Sequence, residues 1–280
     1  MRADYYRSHI GFVQNGCYLS QTGKSVSIPW DADEMLERTK LYETELHISP
    51  PETTYTTGIS FLAGDCLEAA FALQRETGGK TAVLNLANRQ NPGGGVYTGS
   101  GAQEESLFLR SNYYASLYPY AAYANDYDLP QAEQQYPLDR NFGGVWSEGV
   151  TVFRGRELEG YPLLDEPWQT NFIAVPALNH PKTVTVNGEQ RLPPELEKAA
   201  LNKIRTVLNI AAEHGVTDLV LGAMGCGAFH NPPRHIAELF RQALDEAPYK
   251  GRFRRVVFAI TDPDLCGIFA DVFGGRVEEP

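Results

Sequence analysis

The amino-acid sequence predicts an α/β fold with a mostly parallel sheet and helices on both faces of that sheet. From about residue 56 onward, short apolar segments typical of buried strands alternate with amphipathic segments typical of helices. This alternation is what parallel strands joined by crossover helices require. Two of the predicted strands also run directly into glycine-rich loops, at the sheet edge where open α/β folds bind ligands.

The first part of the chain differs from the rest and is predicted to form an N-terminal extension. Residues 16–28, GCYLSQTGKSVSI, alternate apolar and polar side chains around a QTGK turn, which predicts a hairpin. Residues 31–45, DADEMLERTKLYETE, indicate a short charged helix that begins at an acidic cap. The proline pair of SPPETTY marks a boundary near residues 49–56. We therefore expect an extension over residues 1–55 and a larger domain over residues 56–280.

The larger domain begins with a strand, a helix and a second strand. Gly58–Leu62 is a short apolar strand, and Asp65 can cap the helix that follows it. Gly78 ends this helix, and residues 81–87, TAVLNLA, form a strand of the buried type. A glycine-rich loop then leads into a predicted helix over residues 103–117.

The remaining segments continue the alternation after a long irregular region. Residues 117–170 are rich in Tyr, Pro, Asn and Gly, and we expect long loops there around a hairpin at residues 145–155. The further predicted elements are a strand at 171–177, an amphipathic helix at 193–215 that Gly215 stops, a strand at 218–224, a helix at 234–246 and a last strand at 254–260.

Composition indicates a globular protein and argues against several partners. The chain has 280 residues, 42% of them hydrophobic and 21% charged, and a formal net charge of −11. Such an acidic chain is not expected to bind nucleic acids or anionic membranes through its overall charge. No apolar run approaches the roughly 20 residues that a membrane helix needs. Four scattered cysteines and an N-terminus without an apolar segment favour reduced thiols in the cytoplasm.

The two glycine-rich loops are the strongest candidates for ligand binding. The first contains Gly93-Gly94-Gly95 and the second contains Gly222, Gly225 and Gly227. Each leads from a predicted strand to a helix N-terminus, where backbone N–H groups and the helix dipole favour a phosphate. Either loop alone can equally be a tight turn. Their equivalent positions in one sheet together predict a clamp for a diphosphate.

Two common nucleotide-binding motifs do not fit the sequence. Gly23-Lys24-Ser25 would end a Walker A motif, but Tyr18 stands where that motif requires a glycine. The GAMGCG segment does not have the GxGxxG spacing, and no strand-ending acid follows it about twenty residues later; Asp245 lies in a predicted helix instead.

The helix after the first loop begins with Gln103-Glu104-Glu105. Adjacent residues of a helix point about 100° apart, so the two carboxylates cannot face the same way. One of them can point at a ligand held by the loop, while the other binds a different group or caps the helix. The plain alternative is that acidic residues are favoured in any first helical turn by the helix dipole.

Gly93-Gly94-Gly95, seven intervening residues and Gln103-Glu104-Glu105 resemble the GGG-x(6–8)-QEE signature of poly(ADP-ribose) glycohydrolases. The chain length and the GCGAFHNPP segment are similar to the bacterial-type members, and the similarity covers roughly residues 56–275. The resemblance implies a macrodomain-like three-layer α/β/α fold with a mixed, mostly parallel sheet and an N-terminal extension.

The resemblance also implies an activity, namely hydrolysis of the ribose–ribose O-glycosidic bonds of poly(ADP-ribose) from the chain end, with release of ADP-ribose. Glu105 would protonate the leaving oxygen and then activate water, Glu104 would bind ribose hydroxyls, and Gln103 would orient the loop. No metal or other cofactor is expected. ADP-ribosylated proteins would be the partners, in reversal of ADP-ribosylation and the DNA damage response. The N-terminal extension would close the pocket beyond the terminal ribose.

Further substrate-binding residues follow from the same resemblance. Phe229 would pack on the distal ribose, Asp65 would accept a hydrogen bond from the adenine amine, and Asn88 would bind a ribose. Two of these residues have another interpretation, since Phe229 can be a core aromatic and Asp65 can be a helix cap. The local spacing around Asn88 leaves its role open. The residues expected to line the substrate through the two loops are Gly93, Gly94, Gly95, Val96, Gly225, Cys226, Gly227 and Ala228.

Other readings of the same residues stay open. Cys226 lies four residues before His230, which suggests a Cys–His nucleophile, but the sequence offers no third group to orient the base. His230 and His235 have no partner at metal-ligand spacing. The tyrosine-rich run Tyr113–Tyr127 either stacks on bases or packs at the rim of the fold. Two rival functions are a mono-ADP-ribosyl hydrolase and a non-catalytic ADP-ribose-binding module.

Overall fold

The structure, a computed structural model, describes residues 2–28 and 30–278. Met1, Pro29, Glu279 and Pro280, which belong to the predicted extension and domain, lie outside the described residues. The helices are α1 Arg2–Gln14, α2 Ala32–Glu37, α3 Cys66–Thr77, α4 Gln103–Arg110, α5 Tyr114–Leu117, α6 Pro194–Glu213, α7 Pro233–Asp245 and α8 Pro263–Phe273. The strands are β1 Cys17–Leu19, β2 Ser25–Ser27, β3 Thr39–Tyr42, β4 Gly58–Leu62, β5 Thr81–Leu86, β6 Gly144–Arg154, β7 Leu163–Val175, β8 Val184–Val186, β9 Glu189–Arg191, β10 Asp218–Leu221, β11 Arg255–Ala259 and β12 Val277–Glu278. Within this part of the chain, no helix is both long and apolar enough to cross a membrane.

The chain forms two compact units that interleave along the sequence. The first unit consists of Met1–Leu41, Ala87–Leu138 and Val145–Phe172, and the second of Tyr42–Leu86, Asp139–Gly144 and Ile173–Pro280. These units are defined by contacts and not by position along the chain. The division into an extension over residues 1–55 and a domain over residues 56–280 stays a prediction.

The second unit contains a parallel sheet with the strand order β12-β4-β11-β10-β5. Leu221 of β10 pairs with Phe258 of β11, which in turn pairs with Phe61 of β4, so these strands end at the same level. Helix α3 packs against β5 and β10, and α8 packs against β4 and β11. The core between α8 and the sheet is aromatic, with the Phe61 and Phe258 rings stacked at 5.4 Å between centroids. The predicted parallel sheet flanked by helices is confirmed.

Local signals set the ends of several elements in this unit as the sequence predicts. The Asp65 carboxylate accepts hydrogen bonds from the N–H groups of Leu67 and Glu68 and so caps α3. Gly78 ends that helix in the left-handed conformation, at a φ of 60°. The long amphipathic helix α6 is also observed, with Gly215 just beyond its end at a φ of 65°.

The first unit contains the strand order β7-β6-β3 and an aromatic core. Tyr113 and Tyr114 are fully buried there, and Tyr118 is only 3% exposed. The Tyr113 ring lies 4.6 Å from that of Phe172, and its neighbours include the buried Phe108. The tyrosine-rich run therefore packs, as one of the two sequence interpretations held, with Tyr113–Tyr120 in the core of this unit and with Tyr123 and Tyr127 half-buried.

Three predicted elements of the first unit are corrected by the structure. The helix expected over residues 31–45 ends at Glu37, and Thr39–Tyr42 forms β3. The helix expected over residues 103–117 breaks after Arg110, because Ser111 forms an antiparallel bridge to Val152. The hairpin expected over residues 145–155 is a single strand, β6, whose apparent turn glycine, Gly149, has a φ of 67° within the strand. In each case a long-range strand partner overrides the local pattern.

Elements near both ends of the chain are present that the sequence pattern does not predict. Helix α1 begins the first unit and buries Tyr6, His9 and Val13, although its apolar periodicity is weak. In the second unit, α8 and the short β12 follow what was expected to be the last strand. The hairpin predicted over residues 16–28 is confirmed, with Tyr18 of β1 paired to Val26 of β2.

Candidate active site

The two glutamates at the start of α4 are buried in the first unit. Glu104 is 3% exposed and Glu105 is 7% exposed. Charged groups are costly to bury without partners, so the contacts of these carboxylates define the site. Gln103, the first residue of α4, is only half-buried beside them.

Glu104 ties both ends of the segment 88–93 to the helix. Its Oε2 accepts a hydrogen bond from the Asn88 N–H at 2.7 Å, and its Oε1 accepts one from the Gly93 N–H at 3.1 Å. The Asn88 side-chain oxygen accepts the N–H groups of Gln90 and Asn91 in a local turn. One carboxylate thus sets the path of the chain between β5 and the three glycines.

Glu105 is held by two backbone N–H groups from the loop that precedes it. Its Oε1 accepts the N–H of Gly95 at 2.8 Å, and its Oε2 accepts the N–H of Ala102 at 3.0 Å. The second contact is the helix-capping arrangement, in which the third residue of a helix bonds back to the cap. The carboxylate predicted to be catalytic is therefore also a capping group, with both oxygens fixed in place.

The three glycines are needed because the loop passes close to these carboxylates. Gly93 and Gly94 have φ values of 79° and 56°. A Cβ on Gly93 would lie 2.7 Å from the Phe108 ring, and one on Gly94 would lie 2.5 Å from Oε1 of Glu105. Val96, which follows the three glycines, is buried and donates its N–H to the Gly93 carbonyl.

The N–H groups of the three glycines all bond within the protein. Gly93 donates to Glu104, Gly95 donates to Glu105, and Gly94 donates to the Asn91 carbonyl at 3.0 Å. The sequence predicts that this loop presents its N–H groups to a phosphate. In this structure the loop instead holds the carboxylates, and its contact with a diphosphate stays a prediction.

In the glycine-rich loop of the second unit, by contrast, most backbone N–H groups are not used by the described part of the protein. Its carbonyls point inward, since the carbonyl of Gly225 accepts the N–H of Asn231 and that of Gly227 accepts the N–H of His230. Across the described parts of the chain, no acceptor binds the N–H groups of Gly225, Gly227, Ala228 or Phe229. Four unused N–H groups within five residues form a candidate anion site.

Two further predicted residues lie in the same unit. Asp65 follows β4 and the loop follows β10, so both stand at the carboxyl edge of the parallel sheet with β11 between them. Phe229 is half-buried, and its carbonyl accepts the N–H of His180 at 3.0 Å. It is therefore not the fully buried core aromatic of the alternative interpretation.

Cys226 has the environment of an unreactive thiol. Burial raises the pKa of this thiol to about 12, and its Sγ contacts the Met224 carbonyl at 3.7 Å. His230 is exposed, and its ring lies 5.1 Å from that of His180. A Cys–His nucleophile needs a low thiol pKa and an oriented base, so this arrangement argues against it.

One residue that organises the loop, Asn231, is not among the residues predicted from the sequence. It is 2% exposed, and its side-chain amide contacts the carbonyls of Leu178, Gly225 and Phe229. The available signal was its position: a polar side chain placed between a glycine-rich loop and two prolines, Pro232 and Pro233.

Residues 7–155 match the profile of the family described as microbial-type PARG, catalytic domain, where PARG is poly(ADP-ribose) glycohydrolase. The structure is similar to PARG from Thermomonospora curvata, with 30% identity, a TM-score of 0.76, and coverage of 97% of this chain and 99% of that chain. It is similar to PARG bound to the inhibitor ADP-HPD, from the same organism, with 31% identity, a TM-score of 0.76, and coverage of 96% and 98%. PARG from Deinococcus radiodurans in complex with ADP-ribose matches with 26% identity, a TM-score of 0.67, and coverage of 89% and 98%. No protein with curated functional information matches significantly.

The family profile spans more than half of the chain, and the Thermomonospora structures match almost all of it. The fold expected from the sequence, with a large, mostly parallel sheet flanked by helices, is confirmed as the macrodomain-like fold of these enzymes. The chain belongs to the microbial-type poly(ADP-ribose) glycohydrolases, a family of glycosidases.

Proposed function

We propose that the protein hydrolyses the ribose–ribose O-glycosidic bonds of poly(ADP-ribose) from the chain end and releases ADP-ribose. The observation that carries this proposal is the buried pair Glu104 and Glu105, each held by two backbone N–H groups of the glycine-containing segment before α4. In a first helical turn that served only the helix dipole, two acidic side chains would be expected to face solvent. Their burial and fixed orientation support a chemical role.

In the proposed reaction Glu105 is the general acid and then the general base. Its protonated carboxyl donates a proton to the leaving ribose oxygen as the glycosidic bond breaks, and an oxocarbenium-like centre forms. The resulting carboxylate then removes a proton from the attacking water, which returns the group to its starting form. A protonated carboxyl still accepts hydrogen bonds, so the contacts with Gly95 and Ala102 are compatible with both forms.

The neighbouring residues have binding roles in this proposal. Glu104 binds ribose hydroxyls and keeps segment 88–93 in place, and Gln103 orients the loop. Gly93-Gly94-Gly95 and Val96 line the substrate through their close-packed backbone, and Asn88 contacts a ribose. The close approach allowed at Gly93 and Gly94, where no side chain fits, supports these roles.

The loop of the second unit is proposed to bind the diphosphate. The unused N–H groups of Gly225, Gly227, Ala228 and Phe229 are suited to an anion without a cationic side chain. The backbone at Cys226 contacts the same anion. The Phe229 ring packs on the distal ribose, and Asp65 accepts a hydrogen bond from the adenine amine.

Cleavage from the chain end is supported by the packing of α1 in the first unit. Helix α1 contacts the short helical turn Val96–Thr98, and the Arg2 side chain lies against Gly101, just before Gln103. We propose that this segment limits access beyond the terminal ribose. A cytoplasmic location and a role in removing ADP-ribose from modified proteins after DNA damage belong to the same proposal; four free cysteines are typical of a reducing compartment.

The paired test compares wild-type protein with Glu105→Gln in polymer cleavage and in ADP-ribose binding. We expect wild-type protein to shorten the polymer, and Glu105→Gln to bind ADP-ribose but lose at least about 100-fold in kcat, as removal of a general acid–base group does. Unchanged cleavage by Glu105→Gln would refute the mechanism. Binding without cleavage of polymer by wild-type protein would favour the ADP-ribose-binding module, and cleavage of mono-ADP-ribosylated protein alone would favour the mono-ADP-ribosyl hydrolase.

Salt dependence tests the proposed binding mode separately. Because neutral N–H groups and few cations would contact the diphosphate, the ADP-ribose affinity should fall only modestly with added salt. Calorimetric titrations at increasing KCl concentration measure this slope. A steep slope would point to a cationic groove instead.

A further inference from the structure

Asn231 is a buried polar residue two positions after the loop Gly225–Phe229, and nothing in the proposed reaction uses it. Its Nδ2 lies 2.7 Å from the Leu178 carbonyl oxygen, 3.0 Å from that of Gly225 and 3.4 Å from that of Phe229. Carbonyl oxygens only accept hydrogen bonds, so the atom that faces all three must be the donating NH2 group. One side chain thus connects the two ends of the loop to the segment after β7.

The backbone of Asn231 strengthens the same connection. Its N–H also donates to the Gly225 carbonyl, at 3.0 Å, so that oxygen receives two donors from one residue. Gly225 has a φ of 74°, and a Cβ on it would overlap both the Asn231 side chain and the Ala177 methyl group. The loop is therefore built closely around the Asn231 amide.

The Asn231 contacts and a separate hydrogen bond between Gly227 and His230 together set which way the peptide groups of the loop face. The carbonyls of Gly225 and Phe229 turn toward Asn231, and the carbonyl of Gly227 turns toward the His230 N–H. In a trans peptide the N–H points away from the carbonyl that precedes it. The Ala228 N–H is therefore directed away from the interior of the loop.

We propose that Asn231 is a positioning residue that holds the loop Gly225–Phe229 in the conformation that binds the diphosphate of the substrate. This inference rests on the proposed function of that loop. Asn231 itself does not touch the substrate, and its effect passes through the loop backbone. Loss of its NH2 group leaves the Gly225 and Phe229 carbonyls with one backbone donor each, from Asn231 and His180. The loop is then held less firmly, which weakens binding more than it slows the chemical step.

The test compares Asn231→Asp and Asn231→Ala with a matched control, Asn209→Ala. Asp has the shape of Asn but offers no NH2 donor. Asn209 lies in the same unit, is 6% exposed, and uses its Nδ2 to bind the Leu46 carbonyl at 2.8 Å, away from the loop. The measurements are the Kd for ADP-ribose by calorimetry, KM and kcat with polymer, and the melting temperature.

We expect both Asn231 variants to weaken ADP-ribose binding roughly tenfold or more and to raise KM similarly, while kcat changes by less than about threefold. Asn209→Ala should lower the melting temperature and leave the Kd unchanged. If the Asn231 variants lose thermal stability but bind ADP-ribose as tightly as wild-type protein, Asn231 is only a structural residue and the proposal is wrong.

A measurement on wild-type protein can overturn the proposal even if the variants do not fold. The Asn231 side-chain NH2 protons should exchange slowly with solvent before ADP-ribose is added, because the loop is already held. Rapid exchange that slows only with ADP-ribose would overturn the proposal. Failure of the proposed function gives a different result: ADP-ribose would then not bind, or would leave the amide signals of Gly225–Phe229 unshifted.

Discussion

A Cβ on Gly94 would lie 2.5 Å from Oε1 of Glu105, so the absence of a side chain at Gly94 is what lets the proposed catalytic carboxylate occupy its position. The same oxygen accepts the Gly95 N–H at 2.8 Å. The spacing between the three glycines and the two glutamates is therefore a steric requirement of the site as well as a sequence motif.

The first prediction concerns Gly94→Ala. The added methyl group displaces the Glu105 carboxylate, and small misplacements of a catalytic group cost roughly 100-fold in rate, so kcat should fall by about that factor. Steady-state kinetics with polymer measure it. Gly23→Ala is the control, because Gly23 also has a positive φ, of 81°, but nothing lies within 4 Å of its added Cβ. Equal losses in both variants would mean that backbone strain alone is responsible.

The second prediction concerns Gly227→Ala in the other glycine-rich loop. An added Cβ at Gly227 would meet no atom within 4 Å, and this glycine does not have a positive φ. The melting temperature should therefore stay within about 1 °C of wild-type, since surface changes of this kind have little effect on stability. If a diphosphate contacts this backbone, ADP-ribose affinity should fall by roughly tenfold. An unchanged Kd by calorimetry would show that the bound anion does not contact Gly227.

The third prediction concerns the thiols. With the pKa of Cys226 raised to about 12 from an ordinary value of 9.0, its thiolate fraction at pH 8 is roughly a thousandfold below that of an ordinary thiol. Iodoacetamide should therefore modify the exposed Cys17 and leave Cys226 unmodified, as read by peptide mass spectrometry. Protein alkylated at Cys17 should keep cleaving polymer. Rapid alkylation of Cys226 with loss of activity would restore the Cys–His interpretation.

The fourth prediction concerns the pH dependence of stability, through His9 of α1. His9 is fully buried, its Nε2 lies 2.6 Å from the Ser111 carbonyl, and its ring stacks on Phe153. Burial, and then the nearby Arg154 guanidinium, lower its pKa from 6.5 to about 3. The unfolded chain thus binds a proton between these values that the folded chain does not.

His9 alone should accordingly lower the free energy of unfolding by about 1.4 kcal/mol for each pH unit below about 6.5, down to about pH 3. Urea denaturation between pH 7 and pH 4.5 measures the slope. His9→Gln keeps a donor for the Ser111 carbonyl but cannot titrate, so its slope should be smaller by that amount. Identical slopes in the two proteins would exclude His9 as the source.

Much of the second unit could be predicted from the sequence because its signals are local. Asp65 caps α3, Gly78 ends it, and the apolar period of α6 identifies that helix without any knowledge of its neighbours. The elements of the first unit are harder to predict from the sequence. The residues after Glu37 and after Arg110 continue a helical pattern locally, yet they leave the helix because Thr39–Tyr42 joins a sheet and Ser111 bridges to Val152.

The fold class, the family and the pair Glu104 and Glu105 as candidate chemical groups could all be recognised from the amino-acid sequence, because spacing along the chain and the alternation of strands and helices are written in it. Which acceptors the backbone N–H groups of the two glycine-rich loops bind became clear from the three-dimensional contacts alone. In the first unit those of Gly93, Gly94 and Gly95 are used to hold the chain and its carboxylates, whereas those of Gly225, Gly227, Ala228 and Phe229 have no protein acceptor within the described residues. Glycine permits both arrangements equally, and contacts from distant residues select between them.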